Sequence, residues 1–246
     1  MAASEKELQK NIDMWKEVLG ENGMKINVKK TKTMAITEEQ QKINIQIDGV
    51  RLEQVQYFDY LGVLIEGSGK QDKEIEKRIE NTMKVYHSIN KSFINKREIS
   101  TKTKMNVYQA VYKPILTYGC ETWILTRQNK SKIQATEMKY LRRVRGVTKM
   151  DRMRSEQIRK DLGVQSVLEF IEQRQLSWWG HLQRMNNSRQ VKRIWEAKIQ
   201  AKRRRGRPRE TWDSAAEKAL ENRGKSWQEA KLIARDKKQW RKFVYK

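Results

Sequence analysis

The sequence predicts an α+β chain, mostly α, with a small antiparallel sheet at the N-terminus, then a helical bundle, then a basic helical C-terminal module. Three observations predict it. Only two prolines interrupt 246 residues, so long helices are expected. Ile43, Ile45 and Ile47 alternate with polar residues up to Asp48-Gly49, the pattern of a half-buried strand running into a hairpin. From about residue 70 onward the apolar spacing changes to that of helices.

Residues 4–22 read as an amphipathic helix, with Ser4 and Glu7 as a capping box and Leu8, Ile12, Trp15 and Leu19 as its apolar stripe. Gly20 and Gly23 end it. Lys25–Val28 and Thr33–Ile36 read as short strands, and "YFDYLGVLI" as one further strand bounded by Gly67 and Gly69. Ile75, Ile79, Met83, Tyr86 and Phe93 then make one helical stripe. Met105, Tyr108, Val111 and Tyr112 make a second, which Pro114 should kink or stop because it removes a backbone donor. Residues 131–145 form a third helix. Residues 155–185 read as a short helix, a turn at Gly163 and a longer helix carrying Val167, Ile171, Trp178, Leu182 and Met185. "AKRRRGRPRE" is a charged loop. Two helices close the chain: one begins near Thr211, and one is capped by Ser226 and Glu229 and carries Ala230, Ile233, Trp240 and Val244.

Composition points to a polyanionic partner. Lys plus Arg is 54 and Asp plus Glu is 30, a net charge of +24. A surface so positive repels itself, and binding a polyanion relieves the repulsion. Nucleic acid is the first expectation; an anionic membrane surface is the alternative. The excess is uneven: residues 1–141 net +6, while residues 142–246 net +18. No apolar run approaches the ~20 residues that span a bilayer. "MAASEKELQK" lacks the apolar core of a signal peptide. The expectation is therefore an intracellular protein, nuclear or cytoplasmic, that is not secreted and has no membrane partner. Cys120 is the one cysteine, so no internal disulfide forms, and with only His87 and His181 beside it a Cys/His zinc site is not expected. Cys120 has no base next to it, which argues against a nucleophile.

Several stretches resemble a known family. "GMKINVKKTKTM" (23–34) resembles the segment after the catalytic aspartates in reverse transcriptases of non-LTR retrotransposons, a Gly-Leu-x-Ile-Asn-x-x-Lys-Thr pattern. Gly23, Ile26, Asn27, Lys30 and Thr31 match, and Met24 stands for the leucine. "FDYLGVLI" is similar to the family's primer-grip strand through Tyr60, Leu61 and Gly62. "YGCETW" (118–123) resembles a thumb segment. "SWWGHLQRM", "RRRGRPRETW" and "ARDKKQWR" are similar to the C-terminal region of endonuclease–reverse transcriptases. The resemblance runs in order along essentially the whole chain. It implies a partial palm over residues 1–66, a thumb-like helical region over 67–135, and a basic helical region over 136–246 with its arginine-rich loop at 202–209.

The family's polymerase site needs carboxylates that hold two metal ions, in a Tyr-Ala-Asp-Asp motif and in an earlier strand. This chain begins just beyond where that motif would end and contains no Asp-Asp pair. The expectation is a reverse-transcriptase fragment that binds template-primer duplex or DNA but does not polymerise alone. No cofactor is expected; Mg²⁺ belongs only to the intact parent enzyme. The alternatives are a domesticated, non-catalytic DNA- or RNA-binding protein, or part of a longer active reverse transcriptase. The sequence does not fix the oligomeric state.

The resemblance gives individual residues roles. Lys30 would neutralise the leaving pyrophosphate; without the carboxylates it reads as a solvated lysine of the "KKTK" run. Tyr60 and Gly62 would lay backbone against a primer end, or belong to a buried strand. Lys77, Arg78, Lys84, Lys91, Lys96 and Arg97 would meet phosphates, or line the solvated face of a bundle. Lys202, Arg203, Arg204, Arg205, Arg207 and Arg209 form the densest basic run. Gly206-Arg207-Pro208 within it resembles an AT-hook that lies in a narrow minor groove; a nuclear localisation run and a plain basic linker are the competing readings. Residues 155–185 form a candidate helix-turn-helix with Arg174 and Arg184 outward. Trp178 fits the core stripe, which leaves Trp179 to stack on bases or to form a second packing layer.

Overall fold

The computed structural model describes residues 2–37, 41–197 and 210–246. The fold is α+β and mostly α, in two compact units, Met1–Glu76 and Lys77–Lys246.

The first unit opens with α1 (Glu5–Glu21), whose N-cap Ser4 accepts from Glu7 N at 3.2 Å. Leu8 and Ile12 rest on a small core of Ile43, Ile45, Ile47 and Leu52. The expected stripe stops there, because Trp15 is 67% exposed. The first turns of the helix bond the strand segment, where Glu5 Oε1 accepts from Asn44 N and Gln9 bonds Gln46, and Lys16 further along pairs with Asp48 of the hairpin turn. β2 (Gln46–Ile47) and β3 (Val50–Arg51) form the expected hairpin. Asp48 and Gly49 lie at φ 52° and 75°, the left-handed pair that a two-residue hairpin turn requires.

Three expectations for this unit are corrected. Lys25–Val28 is not a strand: the chain turns there, with Asn27 accepting from Lys30 N and Thr31 N. The next strand is only β1 (Lys32–Thr33), and it pairs parallel with β4 (Glu53–Gln54), so the sheet is three separate two-stranded pieces rather than one antiparallel sheet. "YFDYLGVLI" is a hairpin, not one strand: β5 (Tyr57–Tyr60) pairs with β6 (Val63–Glu66) across Leu61-Gly62. Leu61 and Gly62 sit at φ 50° and 81°. A leucine seldom adopts that backbone, so the residue type did not announce the turn.

The second helix, α2 (Asp72–Ile89), starts shortly before the boundary and ends in a π-helical turn, Asn90–Ile94. α3 (Thr101–Val107) passes through a second π-helical turn, Tyr108–Tyr112, into α4 (Lys113–Leu116). The π turn lies just ahead of Pro114, which sits in the first turn of α4; the disturbance expected from that proline is a change of helical register rather than a break. α5 (Arg127–Arg145), α6 (Ser155–Leu162) and α7 (Val167–Arg184) follow, with left-handed Gly146 and Gly163 as C-caps. α8 (Gln190–Glu196) and α9 (Trp212–Asn222) come next. The last expected helix is two, α10 (Trp227–Ala234) and α11 (Lys237–Val244), because Asp236 caps a new start by accepting from Lys238 N and Gln239 N.

Two buried cores are among those that hold this unit. One gathers Tyr86, Tyr108, Tyr112, Met138, Tyr140, Leu141 and Ile158 from α2 to α6. The rings of Tyr108, Tyr112 and Tyr140 lie 4.7–5.9 Å apart. Beside them Glu137, fully buried, accepts from Arg159 Nη2 at 2.6 Å, Arg159 Nε at 3.1 Å, Val167 N at 2.8 Å and the Tyr108 hydroxyl at 3.3 Å. Burial and the neighbouring carboxylate push the Tyr108 phenol up. The other core joins α7 to α9, α10 and α11 through Leu176, Trp179, Leu220, Ala230 and Trp240.

Candidate functional site

Charge separates along the unit boundary. Residues 1–76 hold 11 basic and 14 acidic side chains, a net of −3, and residues 77–246 hold 43 and 16, a net of +27. The whole positive excess therefore belongs to the helical unit.

Within that unit a concavity of about 450 Å³ opens over α2, α5 and the turn after α5. Met83 and Tyr86 of α2 line it with Val147. Lys139, Arg142, Arg143 and Lys149 supply its charge, and no acidic residue lines it. The sequence builds it simply. Lys139, Arg142 and Arg143 are spaced three and four residues apart, which puts them on one side of α5. Arg142 and Arg143 lie in its last turn, where the helix dipole favours cations. Gly146 then reverses the chain and carries Lys149 back.

Local partners leave these cations available. Lys139 Nζ is 5.0 Å from the Tyr86 ring centroid, and Arg143 Nε donates to Asn90 Oδ1 at 3.3 Å. The nearby Asp151 carboxylate is taken by Thr148 N and Thr148 Oγ1 at 2.6 and 2.8 Å, which hold its carboxyl below the usual range. Arg145 turns away to Asp161 at 2.9 Å. Convergent cations around a partly apolar floor can hold a strand of anionic groups with an organic face between them.

The sequence-predicted residues fall in both units and outside the described residues. Lys30 is exposed in the first unit, on the turn whose acceptor is Asn27. Tyr60 is 57% exposed at the end of β5, and Gly62 is the second turn residue beside it. On α2, Lys84 is exposed and Lys77 is half-buried. Arg78 is corrected: it is 8% exposed, with its guanidinium 4.7 Å from the Tyr118 ring, so it packs instead of facing solvent. Lys91, Lys96 and Arg97 are exposed. Lys202, Arg203, Arg204, Arg205, Arg207 and Arg209 lie outside the described residues, and the AT-hook-like Gly206-Arg207-Pro208 with them.

Trp179 is also corrected. It is fully buried, 5.0 Å from Trp227 and 5.1 Å from Trp240, while Trp178 is the half-exposed neighbour. α7 is covered on more than one side, by α5 and by α9 to α11, so a single stripe did not describe it. Trp212, Trp227 and Trp240 pack in or against that core, as their spacing suggests. Residues 155–185 form the expected helix, turn and helix; Arg174 is exposed as expected, though it bonds Glu121, while Arg184 is half-buried and donates to Ala234 O at 2.7 Å. His181 is exposed, 5.3 Å from Trp178.

The cluster at residues 139–149 was missed, although "KYLRRVRGVTK" carries five cations and no carboxylate. Its sign was legible; its convergence with Met83 and Tyr86 required the packing of α2 on α5. Cys120 is fully buried, and burial pushes its thiol up to about 12. Iodoacetamide at mildly alkaline pH should label it in urea and leave it unlabelled in the native chain, as followed by mass spectrometry. Rapid native labelling would contradict its burial. Among the described residues, no group of three or more His, Cys, Asp or Glu is placed to hold a metal ion, and no helix is long and apolar enough to cross a membrane.

A Caenorhabditis elegans protein described as transposon-derived is 25% identical over 198 residues, which cover 77% of this chain and 70% of that protein. No family model and no solved structure matches.

Proposed function

We propose that this chain is a nucleic-acid-binding part of a non-LTR retrotransposon reverse transcriptase, which holds template-primer duplex or DNA through its basic helical unit and does not copy a template by itself. The observation that carries the reading is the charge division, with a net of +27 confined to residues 77–246 and a cation-lined concavity within them. Transposon ancestry is supported by the relative described as transposon-derived and by the family-like stretches in their order along the chain. Those stretches also pack on one another: Trp212 of "RETW" donates to Glu121 O of "YGCETW" at 2.8 Å, and Trp240 of "QWR" lies against Gly180 of "SWWGH". They are the joints of the helical unit.

Phosphate binding by cations releases counterions, so affinity falls with salt at a slope of about 0.9 per phosphate on duplex DNA. With about six contacts, log affinity against log salt should have a slope near −5. Fluorescence anisotropy with duplex DNA, RNA–DNA hybrid and single-stranded RNA at several salt concentrations measures it. A slope shallower than about −2 on every probe would overturn the reading. Metal-dependent primer extension by the purified chain would overturn its non-catalytic part.

A further inference from the structure

The concavity over α2 and α5 has a chemistry that phosphate binding does not need. A face built only for a backbone would be flat and charged; this one is a recess with a floor of Met83, Val147 and Tyr86 beneath a rim of Lys139, Arg142, Arg143 and Lys149. Tyr86 is 6% exposed, yet it lines the recess, and its hydroxyl has no hydrogen-bond partner among the described residues. Burial raises that phenol while nearby Arg143 opposes the shift, so at neutral pH it stays a protonated donor and acceptor beside a cation. The hydroxyl is therefore open to the recess, where it can donate to or accept from a polar edge that enters it. The volume, about 450 Å³, falls within the range of about 300 to 1,000 Å³ typical of pockets for small organic groups.

We propose that the recess receives one unpaired base of a single-stranded nucleic acid. The base lies against Met83 and Val147 with its edge on the Tyr86 hydroxyl, while Arg142, Arg143 and Lys149 hold the phosphates on either side of it. Lys139, exposed and resting over the Tyr86 ring, swings aside to a phosphate as the base enters. A base within an intact duplex cannot reach the floor, so this recess distinguishes single from double strands. The proposal rests on the nucleic-acid reading above and adds the strand state that this site selects.

The test compares the full chain binding short single strands, DNA and RNA in separate arms, with strands of equal length whose bases are replaced by abasic sites. Charge is the same in both, so the salt slopes should match. The base-bearing strand should bind about tenfold more tightly, because burying one base face on an apolar floor carries a factor of that order. Tyr86→Phe keeps the ring and loses an unpartnered hydroxyl, so it should fold normally. It should weaken the base-bearing strand about fivefold and leave the abasic strand unchanged. Equal binding of both strands with a steep salt slope would overturn the base pocket and leave the nucleic-acid reading standing. A base preference that survives Tyr86→Phe undiminished would overturn this location for it. No salt-dependent binding of any strand would overturn both.

Discussion

Glu137→Ala should cost about 3–5 kcal/mol of stability, the largest loss expected from a single polar substitution in this chain. The carboxylate is fully buried and serves three partners: the Arg159 guanidinium through two bonds, the Val167 amide that opens α7, and the Tyr108 hydroxyl. Truncating it strands Arg159, which is 8% exposed, as an uncompensated charge in the core. It also unties α5 from the last turn of α6 and from the start of α7. Urea unfolding should show the loss as a lower midpoint with an unchanged slope. Replacing both partners, as Glu137→Met with Arg159→Leu, should cost much less than Glu137→Ala alone, because no unpaired charge remains. A loss below about 1 kcal/mol for Glu137→Ala would mean that the pair is solvated and the core is not organised around it.

Gly180→Ala should reverse the usual sign of its class. In an ordinary helix interior, replacing glycine by alanine gains up to about 1 kcal/mol. At Gly180 a β-carbon would stand 2.0 Å from Trp240 Nε1, 2.4 Å from Cδ1 and 2.6 Å from Cε2. The indole cannot yield easily, since its Nε1 donates to Leu176 O at 3.0 Å and its ring is in tilted contact with Trp179 at 5.1 Å and Phe243 at 5.3 Å. Either α11 moves off α7 or the tryptophan leaves its place. The expected net loss is about 2–3 kcal/mol, with a changed tryptophan fluorescence spectrum. Pairing Gly180→Ala with Trp240→Phe removes the indole atoms nearest the added methyl, so the double variant should lose less than the sum of the two singles. A gain in stability from Gly180→Ala would show that α11 does not pack on α7 as described.

Both sites bear on what the sequence made legible. "SWWGH" and "QWR" stood out as family-like stretches, but their physical reason is mutual: Gly180 is small because Trp240 lies on it, and one sequence does not state a contact sixty residues away. The hairpin at residues 46–51 was readable because Asp48-Gly49 suits a left-handed turn and three isoleucines alternate ahead of it. The hairpin at residues 57–66 was not, because its turn is led by a leucine at φ 50°. The span of α5 could be placed from its spacing to within a turn at its start, and its right end fell at Arg145, where Gly146 caps it. Trp178 and Trp179 were exchanged because a helix buried on more than one side has no single apolar stripe. For the candidate site, the bias of charge toward the C-terminal part was plain, and the structure moves its boundary to residue 77. Arg78 was misread because a guanidinium over an aromatic ring leaves the same letter in the sequence as one in solvent. The recess itself is a product of packing, with two residues from α2, a side of α5 and a turn beyond it.

The claim on which the account turns is that the cations of this recess hold nucleic acid. The direct measurement is the salt slope of single-stranded DNA binding, the strand state this recess receives, for the unaltered chain and for a variant with Lys139, Arg142, Arg143 and Lys149 all changed to Ala. None of the four is buried, so the variant should remain folded by circular dichroism. On a single strand each lost phosphate contact removes about 0.7 from the slope. The expected result is a slope flattened by about three, with affinity at moderate salt reduced at least tenfold. A folded variant that keeps both the slope and the affinity of the unaltered chain would contradict it.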